Sequence, residues 1–304
     1  MNDYNGDRVI AITFDDLPLQ QPVRDYSTVG DINRSILTTL TANQVPAIGF
    51  VNEQLFNVAD GVDHSIIKMW LDAGMDLGNH TFSHADLHKV PLTEFFEEIV
   101  LGERLTRKSM KDRELSLRYF RHPHLHTGTT AEMRRAVEAF LLSHGYTVAP
   151  ITVFSNDWMF TQVYDKATFE NNTDVMRYVG SMLVPYMEEC LRYAEEDSVT
   201  LFGREVPQIH LLHLSTLAAH YLDDLLAMMR RRGYEFVNLS RALADEVYSQ
   251  PETYVGPFGL SWLHRWGRSM DKQLKGFPKE PQTLIRLYFE AGLDEIEISQ
   301  GSIA

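Results

Sequence analysis

The sequence holds one cysteine, Cys190, among its 304 residues. That excludes an intrachain disulfide and any thiolate cage, so a metal site would have to use histidine and carboxylate ligands. Basic residues are scarce: 28 Lys and Arg stand against 42 Asp and Glu, a formal net charge of -14. Nucleic-acid binding needs a basic footprint, which this balance denies. No apolar run approaches a membrane span. The N-terminus lacks the basic-then-apolar order of a signal peptide, and strand-like sequence begins about eight residues from Met1. The chain therefore fits a cytoplasmic protein, or an exported one with its signal trimmed. Repeats, low-complexity segments and a GxGxxG turn are also missing, which counts against solenoids and dinucleotide-binding folds.

What is present is an apolar fraction of 44%, enough for a substantial core, and 12 histidines. Short β-branched runs alternate with helical spacing. Arg8 to Phe14, Pro46 to Val51, Met75 to Gly78, Leu115 to Phe120, Gly145 to Phe154, Val206 to Leu214 and Tyr234 to Leu239 read as strands. Between them, helices are expected over Asp31 to Asn43, Ser65 to Ala73, Leu92 to Met110, Thr130 to His144 and Leu217 to Arg232. Two helical stretches fill roughly Thr161 to Glu196. Such βα units imply parallel strands buried on both faces, and seven or so of them suggest an α/β barrel rather than an open sheet. Chemistry would then gather at the C-terminal strand ends.

Polar clusters stand where that rule puts them. Asp15-Asp16 follow ITF, His80 and His84 follow MDLGN, Arg121 to His126 follow LRYF, Asp157-Trp158 follow ITVFSN, and His213 ends QIHLLH. The HTFSH spacing sets two imidazoles at i and i+4, expected on one side of a helical turn. Two imidazoles and a carboxylate make a three-ligand open metal site. Asp15 and Asp16 point apart, so one can bind a metal while the other stands beside a bound water. Alone, each fragment has a plainer reading: paired acids cap helices, and histidines fill cores.

Taken in order, TFDD, HTFSH, RHPH, DW and LLH resemble the polysaccharide deacetylases of carbohydrate esterase family four, the NodB-like homology domain, over roughly residues 8 to 245. The resemblance implies a distorted (β/α)7-type barrel and a divalent metal, most often zinc, with cobalt, nickel or manganese as alternatives, held by Asp16, His80 and His84. It implies Asp15 as general base, Arg121 pairing with Asp15 to orient it and keep it ionised, and the His124 backbone N–H as an oxyanion donor. His213 would be the general acid, Asp157 would hold it charged, Trp158 would wall the sugar groove, and Leu211 would line the acetyl pocket. His210 competes with His213, and His122, His124 and His126 form a rival ligand cluster. His64, His88, His144, His220 and His264 read as structural or surface residues.

Three positions depart from the family pattern: Leu17-Pro18 stand where Gly is common, His124-Leu125 where an aromatic and Gly are common, and Leu214 where Asp often follows the acid. They reshape the rim, so the glycan is not inherited from the family. Residues 1–250 are expected to form the barrel. Residues 251–304, aromatic-rich at 254–266 and helical near 283–291, form an extension packed on it, read as a strap more readily than as a subsite wall. The expected activity is removal of acetyl from an N-acetylated or O-acetylated oligo- or polysaccharide by attack of metal-bound water. The alternatives are a small amide or formamide hydrolase on the same barrel, and a non-catalytic sugar-binding relative.

Overall fold

Alternation along the first strand explains the layering. In β1 (Val9–Leu17), Ile10, Ile12 and Phe14 point outward into a large apolar cluster that also takes Ile32, Ile36 and Leu40. Ala11 points the other way, into a smaller cluster with Ile48, Phe50, Tyr119 and Ile209. A period of two makes Thr13 and Asp15 share the face of Ala11, inside the curl of the sheet. The computed structural model describes residues 8–58 and 62–293.

The other strands are β2 (Ala47–Val51), β3 (Asp76–Asn79), β4 (Tyr119–Phe120), β5 (Thr147–Val148), β6 (Gln208–His213) and β7 (Glu235–Phe236). They form one sheet in the order β5-β4-β3-β2-β1-β6, with β7 pairing the start of β1. Every pairing is parallel. Beyond β5 the chain returns to the far flank of β6 through a parallel bridge between Val153 and His210, which draws the curl together. The architecture is the α/β, deformed-barrel one expected from the strand and helix pattern and from the resemblance.

Helices cover the outside: α1 (Val29–Ala42), α2 (Leu55–Val58), α3 (Ser65–Asp72), α4 (Leu92–Leu101), α5 (Arg104–Lys111) and α6 (Ala131–Ser143). They are followed by α7 (Asp157–Phe169), α8 (Thr173–Phe202), α9 (Thr216–Arg231), α10 (Leu239–Ala242), α11 (Trp262–Ser269) and α12 (Gln282–Glu290). Among the described residues no helix is long and apolar enough to cross a membrane. Of the predicted extension, residues 294–304 lie outside the described residues.

Four expectations need correction. The helix expected over Leu92 to Met110 breaks into α4 and α5 at Gly102. A Cβ there would lie 2.5 Å from the Thr81 backbone, so this glycine lets the helix end press on the loop after β3. The strands expected over Leu115 to Phe120, Gly145 to Phe154 and Tyr234 to Leu239 shrink to two residues each. Apolar runs record burial, and Leu117, Tyr119, Phe120 and residues 149–154 are buried without continuous ladder partners.

Candidate active site

Five backbones around one cavity leave the ordinary regions of conformational space. Asp16, Thr81, His84, His124 and Leu125 all have φ between 54° and 64° without being glycine. Residues held this way persist only where the surroundings over-determine them, and they concentrate at functional sites. The cavity, about 700 Å³, is lined by Asp15, Asp16, His80, His84, His124, Trp158, Leu211 and His213. Arg121 and Asp157, also singled out in the sequence, stand behind its wall.

His80 and His84 do not share a helical turn. Left-handed Thr81 and His84 fold the segment into an open loop instead. Local bonds hold it: the Thr81 N–H donates to Asn79 Oδ1 at 2.8 Å and the Asn52 amide donates to the His80 carbonyl. From α4, the Glu98 carbonyl and carboxylate accept the Phe82 and Ser83 amides at 3.0 and 2.7 Å. The loop brings both imidazoles to Asp16, whose Oδ1 lies 3.5 Å from each Nε2. That oxygen is buried and has no hydrogen-bond partner. His80 Nδ1 is 2.8 Å from the Arg121 carbonyl, so its proton sits there and Nε2 presents a lone pair. Burial, more than the neighbouring imidazole, pushes His80 well below its ordinary pKa; burial lowers His84 too. Neutral imidazoles around an orphaned carboxylate oxygen fit a divalent cation.

Asp15 stands beside this group, with Oδ2 3.8 Å from His80 Nε2. Arg121, fully buried, approaches it at 3.4 Å and donates to Thr13 Oγ1 at 3.1 Å. Its guanidinium also lies 4.6 Å from the centre of the Phe50 ring. The expectation is that Arg121 orients Asp15 and keeps it ionised. Burial outweighs the pair and raises Asp15 to about 6, with Arg121 limiting the rise. Asp15 is ionised at neutral pH by a narrow margin.

Opposite, Asp157 at the start of α7 accepts from His213 Nδ1 at 2.7 Å and from the His213 backbone N–H at 2.8 Å. Burial opposes the charge on this imidazole, but Asp157, with help from Asp16 and Asp15, raises it to about 9. His210, one position out of phase on β6, does not line the cavity. Trp158 donates from Nε1 to Asn156 at 2.9 Å and meets Tyr288 of α12 edge-on at 5.9 Å.

The rival cluster of His122, His124 and His126 does not converge. His122 stacks at 6.4 Å from Phe95, and His124 lies 4.5 Å from His84. His126 Nδ1 bonds Asp86 Oδ1 at 2.7 Å. A second group does gather, Asp86, His88 and His126. Its imidazoles stack 3.9 Å apart, and His88 Nε2 accepts the Gly128 amide at 3.2 Å, so the group holds its own loop. Sequence reading also passed over the buried, unpartnered oxygens of Gln20, Ser155 and Gln162 in the cavity wall. Nothing in their local sequence marks them, because their role comes from where helices and loops meet.

A family model described as polysaccharide deacetylase matches residues 2–148. Over that stretch the chain is similar to the polysaccharide deacetylase family. Solved structures share the fold. The chitin deacetylase of Colletotrichum lindemuthianum matches with TM-score 0.54 and 18% identity, over 80% of this chain and 90% of its own. The peptidoglycan deacetylase PdaC of Bacillus subtilis gives 0.50 and 18%, over 80% and 93%. A carbohydrate esterase family four pseudoenzyme from Bacillus anthracis gives 0.53 and 16%, over 79% and 66%. The family match ends before Asp157 and His213, so these two rest on geometry.

Proposed function

We propose that this protein is a metal-dependent hydrolase that removes acetyl from an N-acetylated carbohydrate, with O-acetyl sugar esters as the close variant. One observation carries the reading. Candidate ligand atoms of Asp16, His80 and His84 lie within 4.8 Å of one another, between Asp15 on one side and charged His213 on the other. The substrate class follows from the family and from a cavity that sets Trp158 beside polar oxygens, a surface suited to a sugar face.

A divalent cation held by Asp16, His80 and His84, zinc by preference, would supply Lewis acidity toward water and the acetyl carbonyl. Asp15 takes the proton from the attacking water, which its narrow ionisation margin permits near neutral pH. The His124 backbone N–H donates to the carbonyl oxygen as negative charge develops there. His213 then delivers its Nε2 proton to the sugar nitrogen as the carbon–nitrogen bond breaks, releasing acetate and the free amine. Leu211 bounds the space for the acetyl methyl, and Trp158 forms the groove wall.

The test is acetate release from acetylated chito-oligosaccharides, muropeptides and xylo-oligosaccharides by zinc-loaded protein. Asp15→Asn should cost about 10²–10⁴-fold in rate with metal retained, whereas His80→Ala should lose the metal. Release that survives both Asp15→Asn and a chelator would end the reading. Formate or ammonia as product would favour the small-amide alternative.

A further inference from the structure

We propose that Arg265, together with Gly259, is a positioning residue that fixes the turn presenting the His124 amide to the reacting carbonyl. The proposal rests on the deacetylase reading for the meaning of that amide. Both residues come from the segment after the last strand, outside the family match.

The turn at Pro123–Leu125 is unusual in itself. His124 and Leu125 are consecutive non-glycine residues at φ 54° and 56°, a pairing that disfavours itself unless something holds it. Arg265 supplies the hold. Its guanidinium, with no exposed surface, donates from Nη2 to the Leu125 carbonyl and from Nη1 to Thr127 Oγ1 at 2.7 Å. Nε donates to the Leu260 carbonyl at 2.9 Å, and Glu252 balances the charge at 3.7 Å. The Trp262 ring lies 4.6 Å from the guanidinium and the Tyr254 ring 5.2 Å from it, so the fork is fixed before it meets the turn. A planar fork that donates in several directions to one turn is a task lysine cannot repeat.

Gly259 acts from the same segment. A Cβ there would fall 1.9 Å from the His124 carbonyl oxygen, so the two backbones touch where a side chain has no room. Contact at His124 and hydrogen bonds at Leu125 and Thr127 leave the intervening peptides little freedom. The direction of the His124 N–H depends on those torsions. Asp16, His80 and His84 sit on other elements, so loosening this clamp should change the chemical step without changing cation capture.

The experiment compares Arg265→Gln, Arg265→Lys and Gly259→Ala with wild type, and with Arg286→Ala, an exposed control on α12. The measurements are kcat and KM for an N-acetylated chito-oligosaccharide, zinc affinity by calorimetry, and hydrogen exchange of residues 121–130. Exchange there should quicken in the glutamine and alanine variants. Their kcat should fall about 10- to 100-fold, a fraction of the loss for deleting an oxyanion donor, with KM and zinc affinity held within about twofold. The lysine variant should fall between, and it carries the test with Gly259→Ala if Arg265→Gln does not fold. Unchanged kcat and exchange would overturn the proposal, as would a rise in KM alone. Wild-type protein that releases no acetate counts against the deacetylase reading only. Exchange of residues 121–130 then decides the clamp by itself.

Discussion

Asp15 and His213 are register partners on neighbouring parallel strands, so one rung at the C-terminal edge of the sheet carries both candidate proton-transfer groups. Their surroundings drive them to opposite ends of neutrality. Burial raises Asp15 to about 6, and Asp157 raises His213 to about 9. Between those values Asp15 is deprotonated while His213 is protonated, which is the pairing that base and acid roles require.

The rate should therefore follow a bell in pH, with its plateau between about 6 and 9. A bound dication would carry the acidic limb lower. Asp157→Asn removes the carboxylate that holds His213 charged, so the alkaline limb should move down by at least about one unit. An alkaline limb that stays in place, in kcat/KM measured from pH 5 to 10, would assign it to another group.

Above about pH 7, where the buried imidazoles held below their ordinary value, His80 and His84 among them, are neutral whether folded or unfolded, stability of the metal-free protein should fall as pH rises. The folded-state values of Asp15 and His213 lie above the unfolded ones, so these two groups favour folding at low pH. The Asp15 contribution is complete below the ordinary aspartate value of 3.8 and is lost through about 6. The His213 contribution is complete below about 6.5 and is lost through about 9, worth up to about 3 kcal/mol. Thermal unfolding of chelated protein between about pH 7 and 10 checks the slope, and Asp157→Asn should flatten its alkaline part.

Arg121→Met leaves Asp15 buried without its only nearby guanidinium and leaves Thr13 short of a donor. The expected loss is about 3–5 kcal/mol, the usual result of breaking a buried pair from one side. Denaturant unfolding should show a lower midpoint at constant slope. Adding Asp15→Asn should restore part of the loss, because the stranded carboxylate is then gone.

Gly102→Ala tests the support beneath the histidine loop. The added Cβ would meet Thr81 and Phe82 backbone at 2.5 and 2.6 Å. Displacing that loop should weaken zinc binding by about 10–100-fold, as loss of a supporting group around ligands does. Calorimetry on the folded variant reads this directly.

The strand ends and their polar clusters were legible because a parallel barrel obliges apolar runs to stop where function begins. Asp15, Asp16, His80, His84 and His213 could be named from the residues, since each closes such a run or follows it closely. The conformation joining His80 to His84 was not legible. Left-handed backbone at Thr81 and His84 carries no glycine to announce it. The narrow ionisation of Asp15 also escaped, because an arginine neighbour is visible in sequence while depth of burial is not. Arg265 was hidden most completely, in an aromatic stretch some 140 residues from the turn it grips.

The bridge from Val153 to His210 gives β6 backbone partners on both flanks, β1 on one side and residues 152–153 on the other. A strand sutured along both edges has no inexpensive local opening. His213, the proposed proton donor, therefore stands at the tip of a strand bonded along both edges, and passage of the proposed substrate in and out is left to the surrounding loops. On heating, activity should persist until the whole chain melts, with no earlier fading of the site.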